Sequence, residues 1–135
     1  MKKVMVFGTF DIFHEGHRDF LRQAKEYGDF LIIIVARDKN VFKVKSGLLK
    51  NNELARQKTI SESKLADLVV LGDLDDKYKV IQKYKPDMIC LGYDQEVMLE
   101  ELKEKLTAFD LVKTQIIKLN PFHPEIYKSS KLRKK

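Results

Sequence analysis

Two histidines stand three positions apart around a glycine in "GTFDIFHEGHRDFL", residues 8–21. An imidazole can donate hydrogen bonds, exchange a proton or hold a metal, and a pair this close can act on one group. Zinc proteases need His-Glu-x-x-His, with the histidines four apart on one helix face. His14 and His17 are three apart with Gly16 between them, which does not fit. On the motif alone a metal pair without catalysis, two surface histidines and a phosphate-facing pair all stay open. If a helix begins near Gly16, its first N–H groups favour an anionic group such as phosphate. Gly8 then allows a tight turn, and Gly16 allows backbone or ligand to come close. Both imidazoles would donate to oxygens that gain charge while a phosphoryl group is attacked.

The elements around the motif suit that placement. Apolar runs of strand length occur at 3–7, 28–36, 67–72, 87–92 and 112–119, and the runs at 67–72 and 87–92 each open on Asp and close on Gly. Runs without polar alternation predict strands buried on both faces. Between them Phe20, Leu21 and Ala24 recur at helical spacing, as Leu54, Ile60 and Leu65 do more loosely in 52–65. A helix over 77–84 stops before Pro86, and 96–109 reads as an amphipathic helix with Leu99, Leu102 and Leu106 on one side. Alternating strands and helices predict an α/β fold, a Rossmann-like parallel five-stranded sheet with helices on both faces. Ligands of such sheets bind beyond the carboxyl ends of the strands, where the opening motif and "GYD" (92–94) both lie.

Composition narrows the class. The 135 residues are 44% hydrophobic and 34% charged, which predicts one globular domain, 1–135, with its own core. The short apolar start "KVMVF" fits neither a signal peptide nor a spanning helix, so the expectation is a cytoplasmic protein without membrane contact. Cys90, the single cysteine, reads as a buried inert thiol. Of the formal net charge of +6, the last eight residues "KSSKLRKK" supply five positive charges, leaving about +1 for the rest. Nucleic-acid domains spread basic residues over a face, often with aromatic residues between them, so nucleic acid is an unlikely partner, although the tail keeps polyanion binding open.

The stretch "GTFDIFHEGH" resembles the signature of the nucleotidyltransferase superfamily that includes the cytidylyltransferases, pantetheine-phosphate adenylyltransferase and archaeal-type FAD synthase. Weaker matches extend the resemblance along the chain and imply further nucleotide-binding residues: Arg56 in "NELARQK", Gly92 and Asp94 in "LGYDQ", and Ser129 with Ser130 in "YKSSKL". The resemblance implies transfer of a nucleoside monophosphate from an NTP to a phosphorylated acceptor, with release of pyrophosphate. It places His14 and His17 on the triphosphate, and Thr9 and Phe10, with Gly8 and Gly16, along the nucleotide. Lys43 and Lys45 resemble phosphate-holding lysines of a loop. Mg²⁺ would arrive with the nucleotide, and a homodimer is implied. Asp11 is a candidate for metal or amine, with a turn or cap role as the alternative.

"IIVARDKNV" (33–41) and "LGYDQ" (91–95) resemble the archaeal-type FAD synthases, favouring ATP and FMN over CTP and glycerol 3-phosphate. One departure stands out. Where cytidylyltransferases carry an arginine shortly before an Ile-Ser-Thr-Thr turn, this chain reads "NPFHPEIYKSSK". Lys128, Lys131 or Arg133 would then replace that cation, with His123 a further candidate. A nucleotide-binding module without turnover is the alternative of another class.

Overall fold

The computed structural model describes residues 1–40, 50–92 and 95–120. Five strands, β1 (Lys3–Gly8), β2 (Phe30–Val35), β3 (Leu68–Leu71), β4 (Met88–Leu91) and β5 (Gln115–Lys118), alternate with four helices, α1 (Glu15–Lys25), α2 (Glu53–Ser63), α3 (Lys79–Tyr84) and α4 (Glu96–Ala108). The strands pair in parallel in the order β3-β2-β1-β4-β5. This is the expected Rossmann-like sheet, and every strand and helix expected within residues 1–120 is present, several shortened at their ends; the short last helix expected after Ser130 lies outside the described residues.

The strand runs are apolar throughout because alternate side chains enter two separate cores. Val4, Val6, Leu31, Ile33, Val35 and Cys90 pack with Leu21 and Ala24 of α1 and Ile60 of α2. Met5, Phe7, Ile32, Ile34, Ile89 and Leu91 pack with Val80 and Ile81 of α3 and with Met98, Leu102 and Leu106 of α4. Helices therefore cover both faces. In α2 the expected apolar stripe fails at Leu54, which is 64% exposed, while Arg56 and Ile60 turn inward. Burial pushes the Cys90 thiol up to about 12, which leaves it inert as expected.

The Asp-to-Gly pattern of the strand runs has a physical reason. Asp29, Asp67 and Asp87 stand at the strand entries, and their carboxylates accept the N–H groups of Lys2 (3.0 Å), Leu31 (2.8 Å) and Lys3 (2.8 Å). Asp67 also pairs with Lys25. The amino edge of the sheet is thereby tied off by charge-assisted hydrogen bonds. At the carboxyl edge β1 closes on Gly8, and Gly72 and Gly92 immediately follow β3 and β4, bringing the chain to the side where the histidines lie. Among the described residues no helix is long and apolar enough to cross a membrane.

Gly28, between α1 and β2, is demanded by close approach. A Cβ there would stand 2.6 Å from the Lys2 carbonyl oxygen and 2.7 Å from Val4 Cγ2. Gly28→Ala should therefore lower the unfolding free energy by about 1–3 kcal/mol, read from urea denaturation. Because the site is at the opposite edge, turnover per folded molecule should not change.

Candidate active site

His14 is the N-cap of α1, in extended backbone conformation. Its Nδ1 accepts the Gly16 N–H at 3.0 Å, and His17 Nδ1 accepts the N–H of His14 at 3.3 Å. The two rings thus form a reciprocal capping box in which histidines replace the usual Ser/Thr and Glu. With each Nδ1 accepting, the neutral rings carry their protons on Nε2, at the edge away from that contact. Gly16 is required for this: a Cβ would lie 2.8 Å from His14 Cε1 and 3.1 Å from its Nδ1. Any side chain there would displace the ring from the N–H it accepts.

The rings are held from several sides. His14 and His17 stack with centroids 4.0 Å apart and planes at 23°. Phe13 lies against His17 at 5.7 Å and 10°, Phe10 meets it edge-on at 5.3 Å, and the Arg18 guanidinium covers Phe13 at 4.8 Å. Burial, and then the charge of His14, lower the His17 pKa to about 4, with the Ile12 backbone opposing in part. Burial also lowers that of His14, against the opposing pull of Glu15. Near pH 7 the His17 ring is a neutral donor.

The glycine and aromatic at the end of β1 take different roles from those expected. The left-handed residue of the turn is Phe10 (φ 53), not Gly8. Gly8 makes room for the Phe10 ring, two atoms of which would lie 2.5 Å from a Cβ at position 8. Phe10 is only 5% exposed and packs its ring in the core beneath His17, which leaves its backbone, not its ring, at the surface of this edge.

Arg56 also departs from the expected ligand contact. Its side chain is 0% exposed. The guanidinium donates to Thr9 O (2.8 Å), Asp38 Oδ1 (2.6 Å) and Asn51 O (3.2 Å), which makes it a buried strut tying three segments to the end of β1. Asp38 is held in turn where its N–H donates to Glu53, which pairs with Arg37. Asp11 takes the turn role: it accepts the N–H groups of Lys50 and Asn51, each at 2.8 Å. Those bonds, the Asn51 side chain and the Arg56 charge outweigh its desolvation and hold its carboxyl below the ordinary range.

Gly92 is brought to the same edge, where its N–H donates to the Gln95 side chain at 2.8 Å. Lys43, Lys45, Asp94, His123, Lys128, Ser129, Ser130, Lys131 and Arg133 lie outside the described residues. Sequence reasoning missed Gln95, Asp38, Asn51 and Phe13; the available signal was position, three of them shortly after strand ends and Asn51 just before α2. No group of three His, Cys, Asp or Glu residues converges among the described residues to hold a metal. Each Asp11 oxygen accepts a backbone N–H.

The whole arrangement is a helix start at the open end of a parallel sheet, carrying two fixed N–H donors. A family model described as cytidylyltransferase-like matches residues 5–135. The chain belongs to the cytidylyltransferase-like family. It is a nucleotidyltransferase. The FAD synthase of Thermoplasma acidophilum is 39% identical over 136 residues, covering 100% of this chain and 94% of that protein. The FAD synthase of Archaeoglobus fulgidus is 45% identical over 107 residues, covering 79% and 77%. Among solved structures, a lipopolysaccharide core biosynthesis protein from Thermoplasma volcanium superposes with a TM-score of 0.79 at 35% identity, covering 90% of this chain and 98% of that one.

The depressed His17 pKa makes stability pH-dependent. Between about pH 6.5, where the imidazole titrates in the unfolded chain, and about pH 4, the unfolded state holds a proton that the folded state does not. Stability therefore rises with pH across that window and levels off above it. Urea midpoints should fall from pH 7 to pH 5. The fall should be smaller in His17→Gln, whose amide keeps the bond to the His14 N–H. Equal falls in both proteins would assign the effect to the carboxylates instead.

Proposed function

We propose that the protein is an FAD synthase, with the chain 1–135 acting as one domain that transfers AMP from ATP to the phosphate of FMN. The observation that carries this reading is the stacked, backbone-pinned His14–His17 pair at the start of α1. The curated relatives at 39% and 45% identity, named FAD synthase, supply the choice of substrates.

In the proposed reaction a phosphate oxygen of FMN attacks the α-phosphorus of ATP in line. The new P–O bond forms as the bond to the bridging α–β oxygen breaks, and pyrophosphate leaves with that electron pair. Such a step needs positioning and charge stabilisation more than covalent chemistry. His14 and His17 donate through Nε2–H to oxygens of the transferring group, beside the N–H groups of the first turn of α1. Thr9 borders the nucleotide through its backbone, and Arg56 acts indirectly by fixing the Thr9 carbonyl. Mg²⁺ is taken to enter on the phosphates of the nucleotide. Lys43, Lys45, Asp94, Lys128, Ser129 and Ser130 complete the site in this reading. A cytoplasmic location and a homodimer accompany it.

The test is pyrophosphate release with Mg²⁺, ATP or CTP, and FMN, glycerol 3-phosphate, phosphocholine or phosphopantetheine as acceptor. Release with ATP and FMN alone is expected; release only with CTP and another acceptor would replace the substrates and keep the reaction type. His17→Gln should stay folded and lose at least about a hundredfold in turnover, the scale of one lost oxyanion donor. Near-normal turnover would remove the role given to His17.

A further inference from the structure

The end of β1 is joined differently on its two sides. Towards β2 the ladder runs to Gly8 and Val35, and the Ala36 N–H donates to Gly8 O at 2.9 Å. Towards β4 the paired residues end at Val6 and Cys90. There the Gln95 side chain stands in for the next rung: its Nε2 donates to Phe7 O at 2.9 Å and its Oε1 accepts the Gly92 N–H at 2.8 Å. The Gln95 backbone N–H also donates to Gly92 O at 3.1 Å.

This amide spans the one gap in the sheet where chain order reverses, between β1 and β4, which is where open parallel sheets admit ligands. On one side of the bridge Phe7 leads straight into Gly8, Thr9 and the His pair. On the other, Gly92 and Gln95 lead into α4. A terminal amide offers a donor and an acceptor together, and Asn is one methylene shorter.

We propose that Gln95 is a positioning residue that sets the spacing of the two turns bordering the crevice, and so the seat of the nucleotide between them. The proposal rests on the nucleotide reading of this edge but not on FMN as acceptor. Its test compares Gln95→Glu with Gln95→Leu. An ionised Glu still accepts the Gly92 N–H but faces the Phe7 carbonyl without a proton to donate. Leu makes neither bond.

Wild-type protein is first titrated with ATP and with CTP, and KM and kcat for the productive nucleotide are then measured in all three proteins at pH 8. Thermal melts confirm the folded state. Both variants should raise KM at least about tenfold over wild type, with a smaller change in kcat. Unchanged KM in both variants, or a loss in kcat as large as the rise in KM, overturns the role of Gln95. Failure of wild-type protein to bind either nucleotide would instead overturn the nucleotide reading itself.

Discussion

Two backbone N–H groups at the start of α1 each find an imidazole nitrogen, and the rest of the carboxyl edge is arranged around that exchange. A helix start leaves its first N–H groups without intrahelical partners, and side chains usually satisfy one or two of them. Using histidines for the task fixes each ring's tautomer and direction at once. The arrangement demands a missing side chain at Gly16 and a second at Gly8, so that Phe10 can fold beneath His17. It also puts Phe10 in the left-handed region, unfavourable for an aromatic residue and tolerable here because the ring is packed into the core.

The two edges of the sheet answer opposite needs. At the amino edge three aspartates close the entries to the strands with short bonds to backbone N–H groups. At the carboxyl edge the bonding is done by side chains that cross from one segment to another: Arg56 to Thr9, Asp38 and Asn51, Asp11 to Lys50 and Asn51, and Gln95 to Phe7 and Gly92. Such links hold loops in register without covering them. They place polar groups around the crevice while the apolar cores end one layer below.

What the sequence made legible follows from the range of the forces involved. Strand runs, helix order and the double covering of the sheet depend on hydrophobic periodicity, which is local, and they were readable throughout the described residues. The His pair was readable because its members sit three apart in one turn. Arg56 was visible but misread: its place early in α2 could be seen, whereas its burial depends on Thr9 and Asp38, 47 and 18 positions away. Leu54 looked like core for the same reason, since nothing in the spacing says that Arg56 owns the inward face. Gln95 was invisible, because its partner Phe7 is 88 residues distant.

A lowered pKa appears at first to weaken a phosphate site, because a charged imidazolium would attract a polyphosphate more strongly. In the reading proposed here the loss is useful. A bare positive charge interacts with the bound triphosphate and with the transition state almost alike, which tightens binding without speeding the chemical step. A neutral N–H is weaker but directional, and its value depends on where the oxygen stands. The stack against Phe13 and the edge contact with Phe10 fix that direction for His17, and the bond from Gly16 fixes it for His14. Discrimination between ground and transition state then resides in geometry rather than charge, and that geometry is held by the helix start itself.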